Sequence, residues 1–370
     1  MSLSSKLSNL DLDLGFKSRG PNSSSDYIRQ YLQEVVRIAP GLQRLNIRGS
    51  VAHTLLGLVS SMRNLQTLSL RLGASMTIDV LLAVSTFQSL SALELHAGHL
   101  NADDLSCALH NQDRPVFPSL KTLRIRAHAP VLESIIDSIP PNTLHTLRIE
   151  AEDPSGVPVV WSGVFKAISH KAANTLQNLT IEHHIELDDV EQHNADTTGS
   201  SQVEAKTDTP IPFDDLQILR PLRHLRQVVL DTTLPPALSD ENIITLVTGW
   251  PELRHLDLGA TLLSPEAASP TFLSLNALAK GAPNLESLVI SADLNGIEAA
   301  AVPVDVPSHV ALTRMTLACT LTSEPVQVAT YLHRLFPSLV DVEGHPEREE
   351  HWSRIRDAMQ RMRLPLPHIE

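Results

Sequence analysis

The feature that most constrains this chain is a recurring apolar skeleton, Leu-x-x-Leu-x-Leu, set just after a short turn. Its clearest copy is Trp250-Pro251-Glu252-Leu253-Arg254-His255-Leu256-Asp257-Leu258. The same skeleton stands at Leu42/Leu45/Ile47, Leu65/Leu68/Leu70, Leu90/Leu93/Leu95, Leu120/Leu123/Ile125 and Leu144/Leu147/Ile149. It continues at Leu176/Leu179/Ile181, Leu225/Val228/Leu230, Leu285/Leu288/Ile290 and Leu312/Met315/Leu317. Degenerate copies sit at Leu7/Leu10/Leu12 and Leu339/Val342. The closing Leu-x-Leu alternation predicts a strand with one buried face. Between copies, apolar residues at i, i+3 and i+4 predict a helix.

A strand and a helix alternating without interruption imply parallel strands joined by crossovers, which are right-handed almost without exception. Leu-x-x-Leu-x-Leu at a repeat of about 20–30 residues is the sign of a leucine-rich-repeat solenoid. The predicted fold class is therefore α/β: a right-handed, irregular repeat solenoid of the ribonuclease-inhibitor kind. Its parallel sheet lines the concave face and its helices the convex face. First leucines lie 23 residues apart at Leu42 and Leu65 but 32 apart at Leu253 and Leu285, so the repeats are uneven.

At 370 residues a globular chain would divide into two or three domains. A repeat array is exempt, because each repeat buries its apolar face against its neighbours alone. Residues 1–370 are read as one array of about a dozen repeats. The 42% hydrophobic and 4% aromatic content fits a core of Leu, Ile, Val and Ala. Helices are predicted over Asp26–Ile38, Val51–Met62, Thr77–Thr86, Val131–Ile139, Asp240–Val247 and Val326–Leu335, with Asn101 capping another. Ser264-Pro265-Glu266 reads as a helix start. Residues 184–215, acidic and rich in Ser and Thr, are expected to form a disordered insertion. Residues 346–363 are expected to be a C-terminal capping helix, with Trp352, Ile355 and Met359 against the array.

The net charge of −13 argues against a general nucleic-acid binder. Two cysteines far apart, Cys107 and Cys319, cannot staple every repeat, which favours a reducing compartment. With no apolar leader and no stretch able to cross a membrane, the expected location is intracellular, cytoplasmic or nuclear. No P-loop, dinucleotide fingerprint, His-Glu-x-x-His or Gly-x-Ser-x-Gly appears. The chain is expected not to be an enzyme and to need no cofactor or resident metal. The competing reading is a metal-dependent hydrolase using His183, His184, Glu186, Asp188 and Asp189. A flexible acidic loop does not fix ligands in one geometry, which counts against it.

Function is then sought at the positions that alternate with the buried leucines. The residues singled out on the concave face are Arg44, Arg48, Arg71, Arg124, Arg126, Arg148, Glu182, Asp231, His255 and Asp257. Arg dominates the N-terminal half of this list and acids the middle. A protein partner with an acidic segment is the expected ligand, since Arg is favoured at interfaces and in bidentate pairs. No nucleic acid or membrane is expected to bind.

The repeats resemble those of the fungal, notably basidiomycete, F-box proteins with leucine-rich repeats. The resemblance rests on Pro40-Gly41-Leu42-Gln43-Arg44-Leu45, Trp250-Pro251-Glu252-Leu253-Arg254-His255-Leu256 and Ala282-Pro283-Asn284-Leu285. Val328-Ala329-Thr330-Tyr331-Leu332-His333-Arg334-Leu335-Phe336-Pro337-Ser338-Leu339, followed by Trp352, adds to it. The resemblance implies a substrate-recognition array for ubiquitin ligation. It implies a Skp1-type adaptor only where an F-box lies upstream, and no Leu-Pro-x-Glu-Ile-type F-box precedes these repeats.

Overall fold

The computed structural model describes residues 4–15, 24–49, 53–72, 76–112, 115–152, 159–184, 210–260, 270–295, 297, 308–318, 324–344 and 348–363. The chain forms two compact units, Met1–Leu176 and Gln177–Glu370. In the first, strands β1 (Asn9–Gly15), β2 (Arg44–Gly49), β3 (Thr67–Arg71), β4 (Ala92–His96), β5 (Thr122–Ala127) and β6 (Thr146–Ala151) lie side by side in chain order. They alternate with helices α1 (Ser24–Ile38), α2 (His53–Val59), α3 (Ile78–Ser85), α4 (Ala102–His110), α5 (Ala129–Ser138) and α6 (Trp161–Ala172). In the second unit, β7 (Asn178–His183), β8 (Gln227–Thr232), β9 (His255–Asp257), β10 (Ser287–Ser291), β11 (Arg314–Ala318) and β12 (Asp341–Gly344) follow the same rule. Their helices are α7 (Phe213–Leu216), α8 (Asp240–Gly249), α9 (Phe272–Gly281), α10 (Pro325–Leu335) and α11 (Glu349–Arg363). Neighbouring strands within each unit pair in parallel. The chain is a leucine-rich-repeat α/β fold.

Each letter of the motif has a structural duty. The first leucine closes a turn: Leu42, Leu65, Leu120, Leu225, Leu253, Leu285 and Leu339 each donate their N–H to the carbonyl three residues back. In five of these turns proline occupies the second position (Pro40, Pro118, Pro251, Pro283 and Pro337). There its fixed φ is already suitable and its missing N–H costs nothing. The two variable residues carry the ladder onward through their main-chain N–H groups. Gln66 and Thr67 both donate to Gln43 O, Ser91 and Ala92 to Gln66 O, and Lys121 and Thr122 to Ser91 O. The second unit repeats this at Arg226 and Gln227 on Gln177 O, and at Arg254 and His255 on Arg226 O. Because the ladder runs on main-chain N–H groups, with a hydroxyl adding to it only at Ser91 and Thr313 among the described residues, most residue types suit these positions, which is why the motif reads x-x there.

The second and third apolar residues then stack in register: Leu45 opposite Leu68, Leu68 opposite Leu93, Leu93 opposite Leu123 and Leu123 opposite Leu147. All are buried, as are Leu179, Val228, Leu256, Leu288, Met315 and Val342 in the second unit. Full burial of one such side chain stabilises the fold by about 1.5–3 kcal/mol. The helices supply the other wall, with Val35, Leu56, Leu81, Leu105, Ile135 and Ile168 buried in the first unit.

Several boundaries differ from the sequence reading. Helix α5 begins at Ala129 because Pro130 suits a first turn. Helix α9 begins at Phe272, with Thr271 accepting from Leu273 N, while the helix start read at Ser264-Pro265-Glu266 lies outside the described residues. Of the insertion read at 184–215, residues 185–209 also lie outside them. At the end of that stretch α7 is helical from Phe213 and buries Leu216 just beyond it. At the C-terminal end Trp352, Ile355 and Met359 of α11 are buried, and Arg356 donates to Val342 O of β12 at 3.1 Å.

One pair of glycines sets how β1 joins β2. Gly49 has φ +118° and a side chain there would lie 2.6 Å from Gly15 O. Only glycine permits both that backbone and that approach.

Candidate interaction face

On the side of each strand away from the helices, three side chains stand in a row, and register aligns the rows. In the first unit the middle row runs Asn46, Ser69, Glu94, Arg124, Arg148. Arg48 pairs with Arg71, and His96 with Arg126 and then Glu150, in the outer row. This is where the sequence placed its six arginines, and all six sit on that face.

Their electrostatics are more internally compensated than the list implied. Glu94 takes two arginines at once: Arg71 Nε donates to Oε1 at 2.9 Å and Nη2 to Oε2 at 3.1 Å, while Arg124 Nε lies 3.3 Å from Oε1. Ser69 Oγ donates to Oε2 at 2.8 Å. Burial raises the Glu94 carboxyl's affinity for a proton, but the Arg71 and Ser69 hydrogen bonds and the Arg124 charge outweigh it and hold its pKa below the ordinary glutamate value. Arg126 is clamped by Glu150 at 3.1 Å and by Glu152 at 2.5 Å. Burial disfavours its charged form, and the two carboxylates reverse that and raise its pKa. His96, beside this group, is pushed down by burial first and by the Arg126 charge second.

Arg44 and Arg148 are exposed. Arg48 is also exposed and stands 3.8 Å from Asp13 of β1. On β2–β6 six arginines (44, 48, 71, 124, 126, 148) face Glu94 and Glu150, and with Glu152 just past β6 the excess is three positive charges.

In the second unit Asp231 is exposed and lies 3.9 Å from His184. His255 and Asp257 are half-buried on the same face. Glu182 departs from the sequence reading. It occupies a face position, in register with Asp231, yet it is only 7% exposed. Asp257 lies between Val229 and Val289 in register, and its carboxylate accepts from Gly259 N at 2.9 Å. Burial raises its pKa, the Gly259 hydrogen bond opposes this, and the Asp231 charge adds to the rise.

No protein-family model matches this chain, and no curated protein matches it in sequence. Among solved structures it is similar to the yeast Rad7–Elc1 complex at 13% identity and a TM-score of 0.40, covering 88% of this chain and 84% of that one. It is also similar to LegL7, a leucine-rich-repeat-containing protein of Legionella pneumophila, at 12% identity and a TM-score of 0.39. There the match covers 97% of this chain and 99% of that one.

The metal cluster read from sequence is not assembled among the described residues. His183 is buried at the end of β7 and His184 is exposed beside Asp231, while Glu186, Asp188 and Asp189 lie outside the described residues. Among the described residues no group of three or more His, Cys, Asp or Glu side chains is placed to hold a metal ion. Among the described residues no helix is long and apolar enough to cross a membrane.

Sequence reasoning missed Glu152 as a functional neighbour because it falls just past β6, outside the alternating pattern. It also passed over Glu94 as a hub. The available signal was the equal motif position of Glu94 and Arg124 in successive repeats.

Proposed function

We propose that this chain is a non-enzymatic protein-interaction array that binds its partner on the open face of the sheet. The observation that supports it is the row of in-register charged side chains on β2–β6, with positive charge in excess and no apolar layer covering it among the described residues. The ion pairs hold Arg71, Arg124 and Arg126 in fixed positions, so little side-chain entropy remains to be lost on binding. The excess charge selects an acidic segment of a protein partner. Substrate recognition for a ubiquitin ligase is the finer form of this reading, and it rests on the resemblance of the repeats to fungal F-box proteins.

The test uses the full chain and a fluorescein-labelled decaglutamate peptide. Wild type binds it with an affinity that falls as salt is raised. The double variant R44E/R148E, altered at exposed positions, binds at least fivefold more weakly while remaining folded. Equal affinity for wild type and variant removes the open face from the proposal. A pull-down with a Skp1-type adaptor addresses the finer form, since capture of the adaptor by residues 1–370 supports a ligase subunit and no capture supports a bare binding array.

A further inference from the structure

The two strands at the ends of the described sheets are treated differently. At β12, α11 lies alongside: Trp352 packs against Gly344, and Arg356 reaches the Val342 carbonyl. At β1 the outer edge has no hydrogen-bonded neighbour among the described residues, since β1 pairs with β2 on one side only. The burial of its leucines records the same fact. Leu45 and Ile47 of β2 are 0% and 1% exposed, whereas Leu10 opposite Leu45 is 8% exposed and Leu12 and Leu14 are only half-buried. An edge of this kind is a row of backbone donors and acceptors ready to pair with another strand.

The side chains on that edge say what kind of strand fits. Leu10 and Leu12 point to the helix side, in register with Leu45 and Ile47, and Asp11 and Asp13 stand exposed on the open face; the register shifts between Asp13 and Gly15. A second copy of β1 would set its own aspartates beside these, in either direction, and like charges opposite one another destabilise a pair. A strand that alternates aliphatic with basic residues does the reverse. Its apolar side chains extend the layer begun by Leu10 and Leu12, and its cations meet Asp11 and the Asp13 carboxylate that Arg48 already approaches. The pattern is symmetric, so it suits parallel or antiparallel addition.

We infer that the outer edge of β1, unpaired among the described residues, is a docking site for an extended segment of a protein partner in which aliphatic residues alternate with Lys or Arg. The segment joins the sheet as an added strand, with main-chain hydrogen bonds giving affinity and the alternation giving selectivity. This site adjoins the open face of β2–β6 through the Asp13–Arg48 pair, and its occupant differs in taking main-chain hydrogen bonds from β1.

The test is fluorescence anisotropy of the labelled peptide Ser-Val-Lys-Val-Lys-Val-Ser with the full chain. Saturable binding is expected, weakened about tenfold in D11K/D13K and recovered by that variant when the peptide's lysines are replaced by glutamate. Hydrogen exchange read at Asn9–Gly15 should slow when the peptide is added to wild type. Several results overturn the inference: no saturable binding up to the peptide's solubility limit, equal affinity for wild type and the reversed variant, or slowed exchange elsewhere but not in β1. So does dimerisation of the chain alone that D11K/D13K abolishes, because the occupant would then be a second copy.

Discussion

Arg124 and Glu94 stand opposite each other in neighbouring strands, 3.3 Å apart, and Arg71 closes on the same carboxylate from the other side. One glutamate thus ties β3, β4 and β5 together on the face that water reaches. Glu94→Gln leaves two arginines beside a neutral amide. After allowance for screening, since both guanidinium groups are more than a third exposed, the loss is about 1 kcal/mol. Because the folded pKa of Glu94 lies below its ordinary 4.5, its contribution is present above pH 4.5 and disappears as pH falls through the folded value. Urea unfolding of wild type and variant at pH 7 should differ, and the difference should shrink in acid. A constant difference across that window would show that the charge is not what matters.

The double reversal R124E/R126E is expected to lower the melting temperature, because it sets new carboxylates against Glu94, Glu150 and Glu152. R44E/R148E should lower it less, because both side chains are exposed. Differential scanning calorimetry of the two double variants side by side is the check.

Asp257 works in the opposite direction from Glu94. Its folded pKa is raised above 3.8, so ionisation costs the folded state stability as pH rises through 3.8 to the folded value, and the cost stands in full at pH 7. Asp257→Asn keeps an acceptor for Gly259 N and removes the charge. Its melting temperature should exceed that of wild type by about 1–3 °C at pH 7, and the advantage should vanish well below pH 3.8.

Trp250 caps α8 and sends its indole N–H to Leu219 O at 3.1 Å in the buried interior. Trp250→Phe removes that bond while Leu219 O keeps the Leu222 N–H, at a cost of about 1 kcal/mol. Trp250→Ala adds a cavity, for about 3–5 kcal/mol in all. Chemical denaturation should rank the three proteins in that order.

Gly49→Ala forces a Cβ to within 2.6 Å of Gly15 O on a backbone at φ +118°. The expected result is loss of protection in β1 by hydrogen exchange, with β3–β6 little changed. Uniform loss across the first unit would mean that β1 is integral to the repeats behind it.

The leucine positions gave strands, register and the polarity of the two faces, since each is a local consequence of period-two alternation after a turn. What they could not give is which carboxylate takes which guanidinium. Glu94 meets Arg71 and Arg124 across gaps of 23 and 30 residues, and only the stagger of β3, β4 and β5 decides that meeting. Glu152 reaches Arg126 from beyond the end of its strand, where alternation no longer predicts direction. Glu182 holds the expected face position yet is covered, a fact that depends on neighbouring residues and not on period.

The most direct test of the central reading is hydrogen exchange of the full chain with and without decaglutamate, read peptide by peptide. The account predicts slowed exchange confined to β2–β6 and absent in R44E/R148E. Slowing confined to α1–α6, with the strands unaffected, would contradict it.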